Sequence, residues 1–427
     1  MWRRWLALAL LLLPMAVRAQ NVEPAAILAQ TFPAMRDFRR AAKPEITALE
    51  ARLDADEQAG ADRSCLRQAV TELRWRLNST ADVPAAEQVR DRVRALAAAP
   101  TVPAGTVQDA DGSFGPCVAE WFWKLDASTD RFLTEGAPPL PPRLLDRVND
   151  PARLDAYLRG LLVSDLTRDG IDHRKELNIA SADLVRLVLR HRPLGYAWRS
   201  GLDVVVRRFV ADAQSPTTGF FGEHYGPVES DDLSMTFHMA RYMDGAIGHW
   251  PELIAHLIAI KSRRYPYGWL DADGMTGHNN YDVATLFRLG WPRIGAEQRA
   301  AVATEIAGLV DWTLGTALTP DGGLRTRAEG ESWPDALYFT AAFLDEVGFF
   351  DPGKRYWTRE PLPDPSPIRA GLIGQAKKLP ADNPMGQAAL ERLQSEAAAP
   401  PSPQPSPTSG RGSKINPLPL AGEGGEH

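Results

Sequence analysis

Apolar residues return every three or four positions along most of the chain. Leu66, Val70, Leu73 and Leu77 follow this spacing, the 3.6-residue period of an amphipathic helix, and predict a helix over Cys65–Leu77. A helix is expected from Pro44 through LEARLDADEQAG, and another over Glu87–Ala99. Thr101–Gly115 is rich in Pro, Gly and Asp and reads as a loop. CVAEWFWKLDASTDRFL then predicts an aromatic-heavy helix with Trp121, Phe122 and Trp123 as core residues. Pro138–Pro142 is a stiff break, and a boundary is placed there. After Phe350 comes a proline-rich spacer, Pro361–Pro367, then two short amphipathic helices between Ile368 and Ala398.

Between residues 151 and 352 a unit recurs: a Gly-plus-apolar turn, a polar loop, an Asp and an apolar helix. The turns are Gly170-Ile171, Gly219-Phe220-Phe221, Gly268-Trp269-Leu270 and Gly323-Leu324. The aspartates are Asp183, Asp232, Asp282 and Asp335, spaced 49, 50 and 53 residues apart. A fixed period in this range marks a repeat architecture, in which each helix hairpin buries its apolar face against its neighbours. Asp183, Asp282 and Asp335 are expected as helix N-caps. Asp232 follows Asp231, which leaves one of that pair free for chemistry.

Helix hairpins of this period with GF or GW turns resemble the α/α toroids. That group includes the terpenoid-cyclase and prenyltransferase β-subunit fold and several polysaccharide lyases and glycosidases. The resemblance covers roughly residues 151–352 and implies an all-α fold, a helix-hairpin α/α toroid with additional N-terminal helices. The cyclase acid motif DxDD is not present, since Asp271-Ala272-Asp273-Gly274 lacks the final acids. The zinc ligands of the prenyltransferases have no counterpart. The same stretch also looks like secreted bacterial proteins.

The ends change the picture of location. Residues 1–19 read as a signal peptide, with Arg3 and Arg4 ahead of an apolar core and a small-residue cleavage site before Gln20. No later segment is apolar enough to span a membrane, so the mature chain is expected in the periplasm or outside the cell. The expected layout is an N-terminal helical region over 20–140, the repeat over 151–352, short helices over 361–399 and a disordered Pro/Ser/Gly tail over 400–427. The formal charge is −6, which disfavours a nucleic-acid surface. The two cysteines, Cys65 and Cys117, are expected to form a disulfide in an oxidising compartment.

Candidate chemistry concentrates in the loops, which an α/α toroid gathers at one end. Uronate β-elimination needs a group that neutralises the sugar carboxylate, a base and an acid. Asn279 or Asn280 is assigned the first task, aided by Arg241 or Arg288; His224 or His278 the second; Tyr225 or Tyr281 the third. Glycoside hydrolysis instead needs two carboxylates, for which Glu223, Asp231 or Asp232, and Glu331 are candidates. Trp269 and Trp333 could stack on sugars, although Trp269 also reads as repeat core. His238 and Arg241 share a helix face and either line the site or form a polar layer between helices. Asp271-Ala272-Asp273-Gly274 lacks the closing Glu of an EF-hand. No metal and no cofactor is called for, and the expected partner is a polysaccharide or oligosaccharide. A non-catalytic glycan- or envelope-binding toroid is the third reading.

Overall fold

A computed structural model describes residues 23–59, 61–98, 107–134, 138–190, 194–328, 331–381 and 383–394. The expected signal peptide and C-terminal tail lie outside these residues. Among the described residues helix accounts for 62% and strand for 5%, with fifteen α-helices, so the described fold is all-α.

The first four helices are α1 (Pro24–Thr31), α2 (Pro33–Gln58), α3 (Ser64–Ser79) and α4 (Val83–Ala98). α2, α3 and α4 pack their apolar faces together, including Leu53, Leu73, Val70 and Val89, while Leu28 of α1 packs against Leu166 and Tyr225. α2 begins at Pro33 rather than Pro44, which lies inside the helix. A proline at the first helical position gives up an amide that has no partner there anyway, so Pro33 is the better start. α5 (Trp121–Thr134) follows, with Phe122 and Trp123 buried as expected. Cys65 and Cys117 stand at disulfide distance, with Cα atoms 5.3 Å apart, and join the start of α3 to the approach to α5. Buried Glu72 of α3 also accepts the backbone N–H groups of Ala119 and Glu120.

The remaining helices are α6 (Pro151–Gly160), α7 (Arg174–Leu189), α8 (Leu202–Ala213), α9 (Leu233–Tyr242), α10 (Trp250–Ala259), α11 (Gly277–Gly290), α12 (Ala296–Trp312), α13 (Trp333–Glu346), α14 (Ser366–Ala376) and α15 (Pro384–Gln394). A two-stranded hairpin, β1 (His224–Tyr225) and β2 (Val228–Glu229), precedes α9. α5, α7, α9, α11 and α13 pack side by side in that order, each skipping one or more helices of the sequence. α8 lies against α7, and α10 against α11 and α12. At the end of the series α13 meets α2, which meets α3. There Arg327 pairs with Asp54, which also binds Arg67. One hydrophobic cluster joins Trp75 of α3 and Phe122 of α5 to Val185, Phe209 and Met239, so the core crosses the Pro138–Pro142 break.

The helix starts differ from the fifty-residue spacing. Asp232 caps α9, accepting from the Met235 N–H. α11 is capped by Thr276 and α13 by Ser332, which exchanges hydrogen bonds with Asp335 three residues on. Asp183 and Asp282 therefore are not caps; they lie inside α7 and α11 and are buried. A hydroxyl three residues before the third helical position caps as well as an aspartate does. The turn glycines do have a steric role. At Gly219 (φ +73°) a Cβ would lie 2.6 Å from Leu253 Cβ.

Candidate functional site

The N-terminal turns of α7, α9, α11 and α13 face one another, and the polar side chains there fall into two groups. The first is closed. Asp172 accepts from the Tyr225 hydroxyl at 2.9 Å, Ser164 Oγ donates to Glu223 at 3.3 Å, and Arg174 pairs with Asp232 at 2.8 Å. Glu223 is fully buried and Tyr225 nearly so. Burial and the nearby Asp172 carboxylate push the Glu223 carboxyl well above its ordinary range. The same two causes push the Tyr225 phenol up. Glu223 and Tyr225, expected as catalytic groups, are here buried and tied to Ser164 and Asp172. His224, also on β1, is half-buried and donates its backbone N–H to Leu162. Asp231 is buried beside His256 of α10, 2.9 Å away but not aligned as a hydrogen bond, and 3.5 Å from Arg263.

The second group is open. Lys175, His238, Arg241, Tyr242, His278, Tyr338 and Phe339 are all partly exposed and stand on neighbouring helices, a half-open cluster here called the recess. His238 Nδ1 lies 2.8 Å from Asn178 Oδ1, and its ring stacks on Tyr242, 5.6 Å between centroids at an angle of 4°. The Arg241 guanidinium stands 5.6 Å from the Tyr281 ring, and Lys175 Nζ 5.6 Å from the Trp123 ring. His278 stacks on Phe339 at 4.1 Å, with Asp282 at 3.9 Å and Glu331 at 3.7 Å.

Both imidazoles are held neutral. Burial, then Arg241 and Lys175, lowers His238 to about 3. Burial, then Lys175, lowers His278 to about 4. Lys175 thus sits within electrostatic reach of both; burial, then Arg174, lowers its own pKa, against the pull of Asp126 and Asp232. Burial raises the Glu331 carboxyl to about 8. Tyr242 is also pushed up by burial, against the pull of Arg186 and Arg241.

Several expected site residues are buried or stand apart from these groups, although the Tyr281 ring packs against Arg241 and Phe339. Asn279 donates to the Trp269 carbonyl at 2.8 Å, and Asn280 is fully buried with neither amide atom partnered. Tyr281 is 1% exposed, its hydroxyl 3.3 Å from Arg392 Nη2. Burial raises its phenol to about 12. Trp269 is core, donating its Nε1–H to the Leu257 carbonyl at 3.0 Å, so it offers no face for stacking. Trp333 packs against the same core from the first turn of α13. Arg288 lies ten residues after His278 on α11, roughly 15 Å along the axis, where it pairs with Glu346 at 2.7 Å.

Lys175, Asn178, Tyr242 and Tyr338 escaped the sequence reading. The available signal was helical spacing: Lys175 and Asn178 stand at i and i+3, and Tyr242 completes the i, i+4 set with His238. Among the described residues no group of three or more His, Cys, Asp or Glu side chains could hold a metal ion. No described helix is long and apolar enough to cross a membrane. A separate groove of about 150 Å3 between α2 and α3 is lined by Arg39, Lys43, Glu50 and Arg74. It brings no histidine or tyrosine together. No protein-family model matches the chain, and neither a curated protein nor a solved structure matches it.

Proposed function

We propose that the protein is a secreted α/α-toroid enzyme that cleaves a uronate-containing glycan by β-elimination. The supporting observation is a neutral imidazole, His238, in a recess with two cations, Lys175 and Arg241, and a phenol, Tyr242. Lys175 and Arg241 would meet the uronate carboxylate and make the C5 proton more acidic. His238 would take that proton. The C5–H electron pair becomes the C4–C5 double bond, the C4–O bond breaks, and its pair goes to the leaving oxygen. The Tyr242 hydroxyl supplies that oxygen with a proton and recovers one from solvent. The skipping contacts from α5 to α13, and the meeting of α13 with α2, support the toroid.

A hydrolytic reading draws on one observation, the Glu331 carboxyl beside His278, whose raised value suits a general acid. The test is a panel of uronate-containing and neutral polysaccharides, with ultraviolet absorbance of the unsaturated product followed alongside new reducing ends. Both rising together supports elimination. Reducing ends without absorbance support hydrolysis, and silence in both supports a glycan-binding toroid.

A further inference from the structure

The Tyr281 ring is shared by two guanidiniums. Arg241 of α9 and Arg392 of α15 each stand 5.6 Å from its centroid. Arg392 also stands 5.5 Å from the Tyr338 ring, and its Nη2 donates to the Tyr281 and Tyr338 hydroxyl oxygens at 3.3 and 3.4 Å. Tyr281 is buried, while Arg241, Tyr338 and Arg392 around it are half-buried. We propose that Arg241, Arg392 and the Tyr338 hydroxyl form a second anion subsite, which takes a carboxylate or sulfate ester on the sugar adjoining the cleaved uronate. The substrate would then be a glycan with acidic groups on consecutive sugars. Placing this anion next to the cleaved sugar rests on the elimination reading.

Charge balance and the donor set both point to an anion. Arg241 is flanked by the rings of Phe237 at 5.5 Å and Tyr242 at 5.8 Å, as well as by Tyr281. The carboxyl that feels its charge, Asp282, is buried and held well above its ordinary range, toward the neutral form. Arg392 has Asp345 at 3.3 Å, but that carboxylate also takes Lys354 at 2.7 Å. One carboxylate thus serves two cations, and Arg241 has aromatic faces in place of one. Rings offset part of the cost of a half-buried cation, and an anion offsets more. On either side the surplus ends. Arg186, 4.8 Å from the Tyr242 ring, is matched by Asp130 and Asp183, and Arg288 by Glu346. Because Arg392 Nη2 donates to both phenol oxygens, each O–H points away from it. Guanidinium N–H and phenol O–H groups are donors, so a ligand must bring the acceptors. Arg241 carries five N–H groups in a planar fork, enough to meet the carboxylate of the cleaved sugar and the adjoining anion together.

The test is titration calorimetry of the full chain with oligosaccharides of matched length. Polygalacturonate and alginate carry uronates on consecutive sugars, and chondroitin sulfate carries a sulfate beside each uronate. Hyaluronan and desulfated chondroitin have a neutral sugar there. The wild type should bind at least one of the first three more tightly than either of the last two, and which one it prefers separates carboxylate from sulfate. Arg392→Met should weaken that binding roughly tenfold to a hundredfold and leave hyaluronan unaffected. Tyr338→Phe keeps the ring, should weaken the same binding, and serves if Arg392→Met does not fold. A merely structural Arg392 would lower the melting temperature and leave the selectivity unchanged. Equal binding of the two groups, no binding of any of them, or unchanged selectivity in both variants overturns the proposal. Selective binding that Arg392→Met abolishes, without ultraviolet absorbance of a product, would retain the subsite and reject elimination. Absorbance from hyaluronan that Arg392→Met leaves untouched would retain elimination and reject the subsite.

Discussion

His278 Nδ1 and Glu331 Oε1 are 3.7 Å apart, yet the two side chains do not form an ion pair at neutral pH. The spacing alone would suit one. Burial favours the neutral form of both, lowering the imidazole to about 4 and raising the carboxyl to about 8. The result is a neutral pair at the mouth of the recess.

That pair makes stability depend on pH in two opposed windows. An ordinary glutamate titrates near 4.5, and Glu331 near 8. Between these values the folded chain keeps a proton that the unfolded chain releases, so this contribution falls as pH rises. His278 works the other way: between about 4 and its ordinary 6.5 the unfolded chain binds the extra proton, and stability is lost as pH falls. Melting temperatures from pH 4 to 9 should show a shallower alkaline decline in Glu331→Gln and a shallower acid decline in His278→Gln. Slopes identical to wild type would show that the side chains titrate normally.

The recess and the closed cluster should separate in mutant kinetics. Lys175→Met removes a charge from the proposed carboxylate site. Losing a charge-assisted hydrogen bond costs roughly 1.5–3 kcal/mol, so affinity for a uronate oligosaccharide should fall roughly tenfold to a hundredfold. Tyr225→Phe should lower the melting temperature and leave turnover unchanged, since its hydroxyl donates to the buried Asp172. Titration calorimetry and the absorbance assay measure these outcomes. Lost turnover in Tyr225→Phe would return the hairpin to the site.

Gly219 adopts φ +73°, and an added Cβ would stand 2.6 Å from both Leu253 N and Leu253 Cβ, and 2.7 Å from the His249 carbonyl. The left-handed backbone and the forced overlap add in Gly219→Ala. Together they should cost roughly 2–5 kcal/mol, read as a drop in the denaturant midpoint. A neutral substitution would mean that α10 can shift away from the turn.

Cys65 and Cys117 are 52 residues apart. Closing that loop by a disulfide limits the unfolded chain and stabilises the fold by about 4 kcal/mol in the chain-entropy model. The Cys65→Ala/Cys117→Ala variant should unfold at correspondingly lower denaturant, and reduction of the wild type should match it. Equal midpoints before and after reduction would rule out a stabilising bridge.

The all-α class, the existence of α3, α4 and α5, the approach of the two cysteines and the core place of Trp269 were legible in the sequence. These follow from local signals: an apolar period, turn residues and a lone cysteine pair. It also brought His238, Arg241 and His278 into view as loop-end or shared-face polar residues. What only the tertiary structure decided was which polar groups are sealed and which stay open. Glu223, Tyr225 and Asn280 look as reactive in sequence as His238 does, but neighbouring helices cover the first three. Asp183 and Asp282 follow the spacing of caps, and helices that start earlier place them inside instead. Lys175 and Asn178 gain meaning only once α7 lies beside α9. Burial and partnership are set by contacts between residues some sixty positions apart, such as Asn178 and His238, and no local period carries that information.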